Sequence, residues 1–165
     1  MNQRPLLVAG LVLGMGLGGF FDGIVLHQIL GWHHLICTTR TCHPLSIADL
    51  QRKNTADGYF HLGTYLLTIW GCTLLFRAGR ERDALWSGRL LPGATLAGWG
   101  VFNLVEGIID HHLLGIHHVR PRSANPAAWD VGFLVFGALL VFAGWRLVQA
   151  GRRNDLSTAA TRRDR

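Results

Sequence analysis

The chain has 165 residues, of which 49% are hydrophobic and only 16% are charged, and its formal net charge is +6. The apolar residues are gathered into four long runs, which excludes an ordinary soluble domain. The basic residues lie mostly between these runs and in the tail, so the positive charge indicates orientation in a membrane and no nucleic-acid partner.

The four apolar runs predict four transmembrane helices. Each run is close to the ~20 residues that cross a bilayer core, and none shows the alternation of a strand. The first run follows Arg4, as a secretory signal would, but no clear small-x-small cleavage site precedes Asp22, so we interpret it as an uncleaved span. The predicted spans are residues 6–30, 58–77, 90–111 and 127–149.

The basic residues are divided unevenly between the two sides of the predicted membrane. Eleven lie near the N-terminus, from Arg77 to Arg89, or from Arg146 to the C-terminus, and five lie in the other two loops. The positive-inside rule then places both termini in the cytoplasm of a bacterial inner-membrane protein. We expect residues 1–151 to form an all-α integral membrane four-helix bundle of two repeated hairpins, and residues 152–165 to form a basic disordered tail.

A thirteen-residue pattern occurs at residues 22–34 and again at residues 106–118. Seven of the thirteen positions are identical, and Asp22 and Glu106 both supply a carboxylate. Because each copy ends an outward-running span, the repeat predicts a pseudo-two-fold axis along the membrane normal. All nine histidines fall in the outer half of the predicted bundle, and ionisable residues inside a membrane usually have a function.

Carboxylates and imidazoles from all four spans are expected to meet in one outer layer. Asp57 and His61 share a helix face because they are four residues apart. On a straight α-helix Asp22 and His27 lie about 140° apart, so we expect one of them to bind a metal and the other to support it. The predicted metal-binding residues are Asp22, His27, Asp57, His61, Glu106, Asp110, His111 and Asp130.

Some of these residues have alternative interpretations. Asp57 and Asp130 could cap helix N-termini, and Asp22 or Glu106 could form a buried pair with a histidine. Histidines at the span ends are secondary metal candidates or solvated interface residues; they are His33, His34, His112, His117 and His118.

The first outer loop contains Cys37 and Cys42, followed directly by His43. Two cysteines this close in an oxidising compartment predict a disulfide. A thiolate metal site that includes His43 is the alternative, although the spacing is not a standard zinc spacing.

The donor types restrict the function. Imidazole and carboxylate donors suit zinc, iron, manganese or oxidised copper. The sequence therefore predicts a membrane metal-binding protein, consistent with a metal-dependent oxidoreductase or hydrolase, and leaves open whether it is an enzyme.

Alternatives are a proton- or ion-coupled transporter, a haem protein with His27 and His111 as axial ligands, and a metal-delivery factor for a respiratory enzyme. The expected partners are the lipid bilayer, the metal ion and another membrane or respiratory protein.

The doubled signature Gly-Ile-[Val/Ile]-x-His-x-x-Leu-Gly-x-His-His, preceded by Asp22 or Glu106, resembles a family of bacterial four-span integral membrane proteins classed as a domain of unknown function. The resemblance covers nearly the whole chain up to about Gly151. It implies the four-helix membrane fold and brings no activity with it.

Overall fold

The computed structural model describes residues 2–37, 44–81 and 87–163, and within these ranges the chain is helical and has no β-strand. Two π-helical segments continue the first and third α-helices, at Asp22–Ile29 and Gly107–Leu113. The α-helices are α1 (Arg4–Phe21), α2 (Ile47–Arg80), α3 (Leu90–Glu106) and α4 (Pro126–Arg163).

Three of the described helices are long and apolar enough to cross a membrane, namely Arg4–Ile29, Ile47–Arg80 and Pro126–Arg153. They correspond to predicted spans one, two and four. The third predicted span falls on α3, which has 17 α-helical residues and is not among the three. Its apolar sequence is interrupted by Asn103 and Glu106.

Two helices extend beyond the apolar runs. α2 begins well before residue 58, because the hydroxyl of Ser46 accepts a hydrogen bond from the amide of Asp49 (3.1 Å) and caps a polar first stretch. α4 continues to Arg163, through the stretch for which the sequence predicts a disordered tail. Alanine, leucine and arginine in that stretch are good helix formers.

The helices pack in the order α2, α1, α3, α4, in which α1 contacts α2 and α3, and α3 contacts α4. Within the described ranges α2 and α4 do not touch. The apolar part of the first span is 50% buried, whereas those of the α2 and α4 spans are only 11% and 17% buried. The two helices that end in π-helical segments therefore form the centre, and α2 and α4 present most of their apolar surface outward, toward lipid.

Small residues bring the central helices into close contact. A Cβ built on Gly14 of α1 would lie 1.9 Å from the carbonyl oxygen of Thr95 in α3, and one on Gly98 would lie 2.1 Å from the carbonyl oxygen of Leu11. Only glycine permits backbones to approach this closely. The α1–α3 contact fixes the separation of the two π-helical segments that follow.

Gly14→Ala is expected to lower the free energy of unfolding by about 1–3 kcal/mol, because the added methyl group must displace the α3 backbone. Gly63 in α2 is the matched control, since a Cβ there would meet nothing within 4 Å. Gly63→Ala should leave stability unchanged or slightly raised, because alanine favours the helix. Thermal unfolding in one detergent measures both variants, and equal melting temperatures would contradict the close α1–α3 packing.

Candidate metal centre

The π-helical segments begin where the two copies of the sequence repeat begin. A π-helix bonds each amide to the carbonyl five residues earlier, so residues i and i+5 come onto one face. The angular separation is thereby smaller than the value of about 140° expected for a straight α-helix. His27 Nε2 lies 3.1 Å from Asp22 Oδ2, and His111 Nε2 lies 3.4 Å from Glu106 Oε1.

A glycine ends each π-helical segment and turns the chain back toward the site. Gly31 and Gly115 have φ values of 55° and 56°, a left-handed conformation that glycine adopts without steric cost. The amide of Trp32 then donates to the carbonyl of Leu26 (2.9 Å). The reversal brings the histidine two residues after each glycine into the buried cluster.

The first candidate group consists of Asp22, His27 and His33, whose potential ligand atoms all lie within 4.8 Å of one another. The three residues are at most 2% exposed. Oδ1 of Asp22 and Nε2 of His33 lack a hydrogen-bond partner, and the described partner of Asp22 Oδ2 is His27 Nε2, at 3.1 Å. A buried carboxylate that is only partly partnered is costly. The arrangement therefore favours a cation between these atoms.

Asp57 fixes the orientation of His27. Its Oδ1 accepts hydrogen bonds from His27 Nδ1 (3.1 Å) and the Leu35 amide (2.7 Å), and its Oδ2 accepts from His34 Nδ1 (2.7 Å) and Gln28 Nε2 (3.3 Å). A carboxylate on Nδ1 sets the tautomer in which Nε2 carries the lone pair, as in many metal-binding histidines. Asp57 therefore supports a candidate ligand and is not itself in the group.

The second candidate group consists of Glu106, His111 and His117, again with ligand atoms within 4.8 Å of one another. His117 Nε2 lies 3.3 Å from Glu106 Oε1. Asp130 occupies the position that corresponds to Asp57, accepting from the Val119 amide (2.9 Å) and from His118 Nδ1. Its Oδ1 is 3.8 Å from His111 Nδ1, which is too long for a hydrogen bond. Asp130 therefore holds its histidine less firmly than Asp57 does.

The loop that follows each copy of the repeat accepts a hydrogen bond from a histidine of the other copy. His33 Nδ1 donates to the carbonyl of Val119 (2.8 Å), and His117 Nδ1 donates to the carbonyl of Leu35 (3.0 Å). Because a carbonyl oxygen can only accept, Nδ1 carries a proton in both rings, which leaves Nε2 as the nitrogen that could bind a metal. Both rings therefore contribute a candidate ligand atom to the buried groups.

Burial, together with the nearby His117 and His27, holds the pKa of the His33 imidazole well below its usual range. The ring is consequently neutral at pH 7. A folded-state pKa below the unfolded value means that the neutral ring contributes stability above the unfolded pKa of about 6.5, and that this stability is lost as the pH falls below it.

The two groups adjoin and form one cluster of four imidazoles and two carboxylates. The rings of His33 and His117 stack with centroids 4.5 Å apart and an interplanar angle of 13°. The ring centroids of His27 and His117 are 6.2 Å apart, and those of His33 and His111 are 6.4 Å apart. Two ions bound in these groups would be close neighbours.

Besides Asp57 and Asp130, the predicted metal candidates His61, Asp110 and His112 also lie outside both groups. His61 is one turn beyond Asp57, and its buried Nε2 has no hydrogen-bond partner and faces Gly23. Asp110 is half-buried, and His112 is exposed with Nδ1 donating to the Gly107 carbonyl (2.9 Å).

Asp57 and Asp130 are also not helix caps, because α2 begins at Ile47 and α4 at Pro126. His34 and His118 bind these two aspartates and so brace the loops.

His33 and His117, named only as secondary candidates from the sequence, stand in the two groups. The signal for them was the Gly-x-His spacing shared by both copies.

Cys37 is buried and disulfide-bonded, and its amide donates to the Ile116 carbonyl (3.2 Å). Cys42 and His43 lie outside the described residues, so the pairing of Cys37 with Cys42 stays a prediction. The amide contact joins the first loop to the second next to the candidate groups.

Residues 9–151 match the family described as "Predicted membrane protein (DUF2243)". No curated protein and no solved structure matches the chain significantly. The matched range includes all six residues of the two candidate groups. The chain therefore belongs to the DUF2243 family of predicted membrane proteins.

Proposed function

We propose that this protein is a membrane metal-binding protein that holds two transition-metal ions, one in each group of two histidines and one carboxylate. The observation that carries the proposal is the convergence of buried carboxylate oxygens and imidazole nitrogens within 4.8 Å of one another in each group, with Asp22 Oδ1, Glu106 Oε2 and His33 Nε2 left without a hydrogen-bond partner. Buried polar atoms are almost always satisfied in folded proteins. A cation bound in each group would satisfy these good ligand atoms.

The donor set suits zinc, iron, manganese or oxidised copper. Two histidines and one carboxylate are found in zinc hydrolases, where a fourth position holds water, and in non-haem iron oxygenases, where open positions receive substrate. In either case the protein supplies three ligands and leaves room for chemistry. We therefore favour a metal-dependent hydrolase or oxidoreductase.

Residues around the groups would tune the bound ions. Asp57 would raise the basicity of His27 as a ligand, because it accepts the Nδ1 proton. Phe60 and Phe133 pack beside His27 and His111 with centroid distances of 5.4 Å in both cases. These apolar rings would exclude water and strengthen the attraction between the ions and their carboxylates.

The packing beneath the groups does not favour a transporter. An ion path needs polar groups on both sides of the site. Here α1 and α3 meet through glycines in direct backbone contact, as at Gly14 and Gly98. Among the described residues, Asn103 and Thr64 are the buried uncharged polar side chains.

The same proposal includes the four-span topology. Gly107–Leu113 extends α3 toward the length of the other spans, and the corresponding contacts of Asp57 and Asp130 support a pseudo-two-fold relation between two hairpins. With basic residues concentrated at the opposite end, the positive-inside rule would place the metal groups toward the periplasm of a bacterial inner membrane, with both termini cytoplasmic.

Elemental analysis of the purified full chain tests the proposal. After reconstitution with zinc, iron, manganese or copper in turn and removal of excess metal, we expect about two ions per chain for at least one metal, one for each group. His112→Ala is the control, because that imidazole is exposed and outside both groups. Protein that retains none of the four metals would contradict the proposal.

A further inference from the structure

A cavity of about 350 Å³ lies between the end of α1 and the first turns of α4. Its wall is mainly apolar and includes Phe21, Leu26 and Phe136, and its polar residues are Asp22 and Asn103. The volume is that of a small-molecule site. Phe21 and Phe136 are 42% and 45% exposed on the outward-facing surface, so the cavity adjoins the region where lipid chains would lie.

Asp22 belongs both to this cavity and to the first metal group. Its two carboxylate oxygens are buried, and Oδ2 lies 3.1 Å from His27 Nε2. A molecule in the cavity would therefore lie next to the carboxylate that is proposed to hold a metal ion. This position would suit a substrate.

A cation stands beside the cavity. Trp32 and Trp129, which both line it, pack edge to face with ring centroids 5.2 Å apart. The guanidinium carbon of Arg120 lies 5.3 Å from the Trp32 ring and 5.1 Å from the Trp129 ring. Arg120 is exposed, and no carboxylate in the described parts of the chain pairs with it. The two indole rings thus hold the planar guanidinium in place. Its N–H groups remain available to donate hydrogen bonds to an anion.

We propose that this cavity binds an anionic single-chain amphiphile, with its head group on Arg120 and its chain in the apolar cavity beside Asp22. Its role as a substrate rests on the proposed metal function, whereas binding in the cavity does not. The apolar wall selects the chain, and the guanidinium selects a negative head group over a neutral one.

Photolabelling of the full chain tests this proposal, with two probes that carry a diazirine on the alkyl chain, a decanoate and the corresponding decanol. We expect the decanoate to label residues 21–26 and 128–136, and unlabelled decanoate to compete. Arg120→Gln should reduce labelling by the decanoate about tenfold, the value of one charge-assisted hydrogen bond, and leave labelling by the decanol unchanged.

A second variant fills the cavity without replacing a metal ligand. Gly132 lines the cavity, and a Cβ there would meet nothing within 4 Å, so Gly132→Leu should fold. It should reduce labelling by both probes about tenfold, as expected when the site is occluded. Gly63→Leu is the control, because a Cβ at that α2 position also meets nothing within 4 Å, and it should label like the wild type.

Labelling spread along the outward faces of α2 and α4, or unchanged by Gly132→Leu, would overturn the cavity assignment. Equal labelling of the wild type by decanoate and decanol would overturn the anionic head group. Metal content is measured on the same samples. Protein that labels as expected but binds no metal would refute the proposed function and leave the amphiphile site standing, and the reverse result would refute only the amphiphile site.

Discussion

Replacing His27 with alanine is expected to lower the metal content from about two ions per chain to about one, since the first group loses one of its three ligands. The second group keeps Glu106, His111 and His117. His111→Ala should have the same effect by emptying the second group, and the double variant should bind no metal. Elemental analysis after reconstitution gives the three values.

His61→Ala is the matched control for this series. His61 is an imidazole near the same groups, with its Nε2 buried and without a hydrogen-bond partner, but it belongs to neither group. It should retain both ions. His27→Ala protein that retains the full metal content would show that the first group is not a metal site. Loss of metal in His61→Ala would show that a metal ion lies at His61, deeper in the bundle than the two groups.

The second large effect is expected at the aspartate that orients His27. Asp57→Asn should weaken metal binding at the first group about 10- to 100-fold, because an amide cannot replace the carboxylate that accepts four hydrogen bonds. Asp130→Asn should have a smaller effect on the second group, since Asp130 lies 3.8 Å from His111 Nδ1. Titration against a chelator of known affinity measures both.

The difference between these two variants is the informative result. If Asp57 had only a structural role, Asp57→Asn would lower the thermal stability. The Asp57→Asn protein that stays folded would then compete with the chelator for metal as well as the wild type does. Full metal affinity in folded Asp57→Asn protein would therefore contradict the role given to this aspartate. Equal losses in the two variants would contradict the difference in geometry.

The positions of the helices could be predicted from hydrophobicity, and the geometry of the site could not. The apolar run predicted to begin at residue 127 is a helix that begins at Pro126. The change from α- to π-helix at Asp22 depends on whether each amide donates to the carbonyl four or five residues earlier. The periodicity of apolar residues does not indicate which of the two hydrogen bonds forms. The face on which His27 lies was therefore inaccessible to reasoning from a straight helix.

The sequence contains a signal for the buried positions of His33 and His117. Each follows a glycine by two residues in both copies. A helix-ending glycine with positive φ reverses the chain, so a histidine just beyond it returns to the protein. Its location past the predicted span suggested solvent instead. The central position of α1 and α3 likewise followed from their glycines, which permit contact on two sides.

Anomalous X-ray diffraction from crystals of the metal-reconstituted protein would locate the bound ions. We expect two neighbouring anomalous peaks, one beside Asp22, His27 and His33 and the other beside Glu106, His111 and His117. Peaks confined to the exposed histidines, such as His112, or no peak in crystals that contain the metal, would contradict this expectation.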